Sequence, residues 1–98
     1  MDIGKIKEKI KELIPHLRSQ YGISTIGIFG SYVRGEQKKG SDLDILVEFD
    51  ESGGPSLFKF IEMENYISDC LGVRVDLVEK SSLKPRIGKN ILEQVVML

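Results

Sequence analysis

The chain has 98 residues, 41% of them hydrophobic and 30% charged, with a formal net charge of −1. That length makes one domain with one modest core, burying roughly 60–70% of the surface an unfolded chain exposes, and the composition excludes a disordered polymer. No apolar run approaches the ~20 residues of a membrane span, and a charge near zero supplies no field to gather nucleic acid, so direct nucleic-acid binding is disfavoured. A single cysteine, Cys70, excludes an intramolecular disulfide and a cysteine zinc cluster. The N-terminal stretch alternates charge with isoleucine and lacks the apolar core of a signal peptide. Together these features favour the cytoplasm.

In chain order, residues 2–20 read as a helix. Ile3, Ile6, Ile10, Leu13, Ile14 and Leu17 form one apolar stripe about 100° wide. Pro15 falls inside the pattern, where it removes an intrahelical bond and predicts a kink or brief break. Gly22 suits the C-cap. Residues 23–29 are β-rich and form a first strand. Gly30 and Ser31 follow it, and residues 31–34 predict a helical turn closed by Gly35. Residues 36–41 read as a loop. Leu43 to Phe49 predicts a second strand, with Leu43, Ile45 and Val47 on one face and Asp42, Asp44, Leu46 and Glu48 on the other.

Asp50 to Pro55 is rich in turn residues. Pro55 suits the first turn of a helix running from about Ser56 to Leu71, with Leu57, Phe60, Ile61, Ile67 and Leu71 as its buried stripe. Phe58 and Tyr66 lie off that stripe. Cys70 reads as a core residue and His16 as a surface histidine. Residues 73–78 predict a third strand, with Val75 and Leu77 facing one way and Arg74 and Asp76 the other. A last helix spans about 85–94, and Val95 to Leu98 is an apolar tail of undefined state. The order predicts an α+β fold, a small mixed β-sheet with helices packed on it.

Two constellations carry chemistry. Asp42 and Asp44, two apart at a strand start, share a face. Close carboxylates repel each other, a cost that a divalent cation reverses. Mg²⁺ takes oxygen ligands, commonly one or two carboxylates with substrate phosphates. An isolated Asp-x-Asp is more often a solvated strand end. Asp76 has its own bland reading, a strand with one solvent face. If the third strand lies beside the second, however, all three carboxylates converge, enough for a two-metal site. Upstream, Gly30 lets the backbone approach a ligand. The turn after it can aim backbone N–H groups at phosphate oxygens, with the Ser31 hydroxyl and the Arg34 guanidinium beside them. No Walker A loop and no dinucleotide fingerprint is present.

Gly30-Ser31, Arg34-Gly35 and Ser41-Asp42-Leu43-Asp44 together resemble the signature of the DNA polymerase β-like nucleotidyltransferases. Within that superfamily the chain resembles the minimal nucleotidyltransferases, small proteins often found as antitoxins. The resemblance extends through the VEFD and VDLV segments to the closing stretch that begins LKPRI. It implies a polymerase β-like core and a reaction in which a hydroxyl attacks the α-phosphorus of a nucleoside triphosphate and pyrophosphate leaves. Asp42 and Asp44 would hold two Mg²⁺ ions and Asp76 the one at the attacking hydroxyl. Gly30, Ser31, Arg34 and Ser41 would bind the nucleotide, with ATP as substrate. The implied partner is a helical toxin of the HEPN ribonuclease type, restrained by addition of AMP to its tyrosine. Two other readings stand beside this one. The chain could silence such a partner by contact alone, or it could transfer a nucleotide to a small molecule.

Overall fold

The computed structural model describes residues 2–50 and 54–98. Helix α1, Ile3–Tyr21, starts on Asp2, whose carboxylate accepts the Lys5 N–H at 2.9 Å. It ends on Gly22, which adopts the left-handed conformation and donates its N–H to the Arg18 carbonyl. The helix runs through Pro15 without the brief break that was one of the two expectations there. The apolar stripe on both sides of the proline is anchored, with Ile6, Ile10 and Leu17 all buried, and packing on that scale outweighs one lost hydrogen bond.

Strand β1, Ile23–Phe29, pairs antiparallel with β2, Leu43–Phe49; between them lies α2, Ser31–Arg34. Helix α3, Leu57–Leu71, crosses over to β3, Val75–Glu79, which pairs parallel with β2. A short 3₁₀ turn, Lys80–Ser82, leads to α4, Pro85–Gln94. The apolar tail is a fourth strand, β4, Val96–Met97, antiparallel to the far edge of β1. The sheet order is β3-β2-β1-β4, so the sheet is mixed, as the residue pattern predicts. The expected third strand is shifted by two residues at its start and one at its end.

Helices α1 and α3 cover one face of the sheet. Ile6, Ile10 and Leu17 of α1 and Met63, Ile67 and Leu71 of α3 pack on Ile26, Ile28, Leu43, Ile45, Val47, Val75 and Leu77. The expected α3 stripe needs correction: Leu57 is 71% exposed and Ile61 45%, while Met63 takes the central buried position. Both misplaced residues lie around the helix from the stripe that is buried, Met63, Ile67 and Leu71. Cys70 is also exposed and not a core residue. Pro55 lies outside the helix, because Ser56 is the cap and its Oγ accepts the Lys59 N–H.

The edge strand β3 has two of its outward N–H groups satisfied by α3. The Val75 N–H donates to Ser68 Oγ at 3.0 Å and the Leu77 N–H to Glu64 Oε2 at 2.8 Å. Ser68 and Glu64 are one helical turn apart, matching two strand residues of the same orientation. These bonds pin the residues on either side of Asp76 and blunt an edge that would otherwise be open.

Candidate active site

The opposite face of the sheet carries the polar residues. Asp44 and Asp76 are register partners across the parallel β2–β3 ladder, which sets their backbones about 4.8 Å apart with side chains on one face. Asp76 is exposed and Asp44 half-buried. The Asp44 carboxyl is pushed above its ordinary range, first by burial, then by the charges of Asp76 and Asp42; Arg34 partly offsets them. The expectation that β3 brings Asp76 beside Asp44 therefore holds. The bland reading of Asp76, a residue on a solvent face, holds as well.

Asp42 differs. It sits two residues earlier, just ahead of β2, and its Oδ1 accepts a hydrogen bond from Arg74 Nε at 2.9 Å. Among the described residues no three His, Cys, Asp or Glu side chains are grouped so as to hold a metal ion by themselves. The donor set nonetheless suits Mg²⁺, which is commonly held by one or two carboxylates with the rest supplied by water and substrate phosphates. Asp44 bears repulsion from two other carboxylates, a charge excess that such a cation would reverse.

Gly30 joins β1 to α2 with φ 81° and ψ −153°, a conformation open essentially to glycine. A Cβ there would fall on the Asp44 carboxylate. The backbone thus approaches Asp44 as closely as an atom without a side chain allows. The Gly30 carbonyl accepts the N–H groups of Val33 and Arg34, which closes the turn. Ser31 and Tyr32, at its start, have no acceptor within it. Tyr32 itself is buried in the core and anchors the turn from below.

Arg34 donates from Nε to Glu36 at 2.9 Å and from a terminal nitrogen to Gln94 Oε1 at 3.1 Å. It reaches Asp44 electrostatically while tying α4 to the signature turn. Ser41 closes the loop before Asp42: its Oγ accepts the Lys38 N–H at 2.8 Å and its own N–H donates to the Lys38 carbonyl. Arg74, Ser68, Glu64 and Gln94 have structural roles at the site that sequence reasoning missed. Only the four-residue spacing of Glu64 and Ser68 on one helix could have pointed to two of them.

A mixed sheet with two carboxylates on adjacent parallel strands, beside a glycine-led turn at the end of a third, defines a nucleotidyl-transfer fold. The nucleotidyltransferase domain model matches residues 5–98. Protein adenylyltransferase MntA of Thermococcus cleftensis is 60% identical over 80 residues, covering 82% of this chain and 79% of that one. A solved structure provisionally named a minimal nucleotidyltransferase superposes with a TM-score of 0.81 at 34% identity, covering 100% of this chain and 97% of that one. A toxin–antitoxin crystal structure with AMP-PNP matches with a TM-score of 0.75 at 27% identity, over 92% of this chain and 69% of that one. The chain belongs to the nucleotidyltransferase domain family, and it is an enzyme of that class.

Proposed function

We propose that this protein transfers AMP from ATP to a tyrosine hydroxyl of a separately encoded helical toxin of the HEPN type, and so acts as its antitoxin. The observation that carries the reading is the Asp44–Asp76 register pair beside the Gly30 turn. The 60% identity to a protein adenylyltransferase favours a protein as acceptor, and the toxin–antitoxin neighbour favours a toxin as that protein. The chain's own tyrosines support an acceptor from outside. Tyr32 is buried in the core. Tyr21 and Tyr66 pack against the core from α1 and α3, on the other face of the sheet from Asp44 and Asp76.

In this reading the Gly30–Ser31 turn and Arg34 hold the triphosphate, and Ser41 keeps the loop before Asp42 closed. Asp42, Asp44 and Asp76 would hold two Mg²⁺ ions, which neutralise leaving-group charge and activate the attacking hydroxyl when bound. The new bond joins the tyrosine oxygen to the α-phosphorus. The bond to pyrophosphate breaks, and the phenolic proton is released. A free tyrosine, with a pKa of ~10, is mostly protonated at neutral pH, so transfer needs that activation. Asp76 is exposed at the edge strand, which supports giving it the side of the incoming acceptor.

The test is intact-mass spectrometry of the partner after incubation with this protein, Mg²⁺ and ATP. One or more added AMP groups are expected, with severe slowing by Asp76→Asn. Unchanged partner mass with its nuclease still blocked would replace transfer by inhibition through contact alone.

A further inference from the structure

The open face carries one charged pair in the β2–β3 ladder and a second just ahead of it. Asp44 faces Asp76, two like charges with no cation bridging them among the described residues. Two residues earlier in each segment, Asp42 and Arg74 form a salt bridge of 2.9 Å. The Arg74 backbone is fixed, since its carbonyl accepts the Leu43 N–H at 2.8 Å. Its side chain is 80% exposed, and its ion pair among the described residues is the one with Asp42. A guanidinium so exposed is free to leave, because an ion pair in water is weak and solvent takes over its hydrogen bonds.

We propose that Arg74 is a resident cation that holds Asp42 while no metal is bound, and that a divalent ion must displace it to recruit Asp42. The inference rests on the metal-dependent reading above. Three carboxylates on one small surface carry a charge excess at neutral pH. Arg74 relieves the part at Asp42 without desolvation, and it leaves Asp44 and Asp76 open. A divalent ion that draws Asp42 toward Asp44 competes with the guanidinium for the same carboxylate. Arg74 therefore lowers metal affinity by roughly the strength of an exposed ion pair. Arg74 also lines a cavity with Tyr32 and Ser41, so the titration is run with and without ATP to separate an effect on the metal from one on the nucleotide.

The experiment is titration of Mn²⁺ into the full chain, in the absence and presence of ATP, with free Mn²⁺ read by electron paramagnetic resonance. Arg74→Gln is expected to tighten Mn²⁺ binding about two- to fivefold, the range an exposed pair supplies. Arg74→Lys, which keeps the charge at the same position, is expected to stay close to wild type. Lys38→Gln controls for general charge, since Lys38 is a site-loop cation with no ion pair among the described residues. Thermal melts confirm that each variant is folded. Unchanged or weaker binding in Arg74→Gln would overturn the displacement role while leaving the metal site intact. Equal tightening by Lys38→Gln would reduce the effect to long-range charge and also overturn it. Absence of Mn²⁺ binding in every variant, with and without ATP, would remove the metal reading and this inference with it.

Discussion

Ionising Asp44 works against the fold. Its carboxyl is raised above the ordinary value of 3.8, by burial first and then by Asp76 and Asp42. Between those two values the folded chain binds more protons than the unfolded one. Stability therefore falls as pH rises through that window. Asp44→Asn removes the effect. At about pH 7 the variant should be as stable as wild type or more so, and below about pH 3.8 the difference should close. Urea denaturation at both pH values measures it, and a marked loss at neutral pH would make Asp44 a structural partner instead. Gly30 behaves in the opposite way. Gly30→Ala places a methyl group on the Asp44 carboxylate and forces a non-glycine residue to φ 81°. Backbone strain alone costs about 1–3 kcal/mol, so lower stability should accompany lost nucleotide binding, as read by a melt and a binding titration. At this scale the carboxylates and Gly30 were legible, because charge repulsion and positive φ leave residue-type signatures. The distant partners of Arg34 and Asp42 were not: Gln94 and Arg74 lie 60 and 32 residues off in the chain, and nothing local marks such a contact.

The elements were legible where periodicity and caps agreed, and less so where tertiary contacts decide. Helix α3 carries apolar residues on more than one face, and the sheet takes the face of Met63, Ile67 and Leu71, so Leu57, Phe58 and Ile61 remain exposed. The tail becomes a strand because β1 offers it a free edge. Gly27, its pairing position, has no side chain to oppose Val95 and Met97, which lie over it. No local pattern in four apolar residues says that. The pinning of β3 by α3 is similarly non-local, and it bears on catalysis. Glu64→Ala leaves the Leu77 N–H without its partner, at a cost of about 1–3 kcal/mol for a buried donor. Because Leu77 adjoins Asp76, transfer should decline along with stability. Glu64→Gln, which keeps an acceptor oxygen, should restore both. Hydrogen exchange at the Leu77 amide reports the bond directly, and fast exchange is expected only in Glu64→Ala.

Across the whole molecule the two faces of the sheet divide the work. Helices α1 and α3 supply the core on one face, which frees the other to carry Asp42, Asp44 and Asp76 at its β2–β3 end. That division follows from the alternation of β2 and β3, which is why the mixed sheet was readable from residue order alone. What alternation does not show is that the helical layer keeps Tyr21 from the reacting face. The Tyr21 hydroxyl donates to Glu62 Oε2 at 2.8 Å, and its pKa is pushed up to about 12, chiefly by burial and then by that bond. Such a hydroxyl is a poor nucleophile. The open face, by contrast, has an unbalanced negative charge that repels a triphosphate until a cation is present. ATP and Mg²⁺ should therefore stabilise the fold together far more than either does alone. A ligand at about ten times its dissociation constant adds ~1.4 kcal/mol, which for a chain of this size raises the melting temperature by on the order of 5–10 °C. With ATP and excess chelator the shift should vanish. If ATP alone produced the full shift, the phosphates would have to be held by the Gly30 turn and Arg34 without any metal, and the role given to the three aspartates would fall.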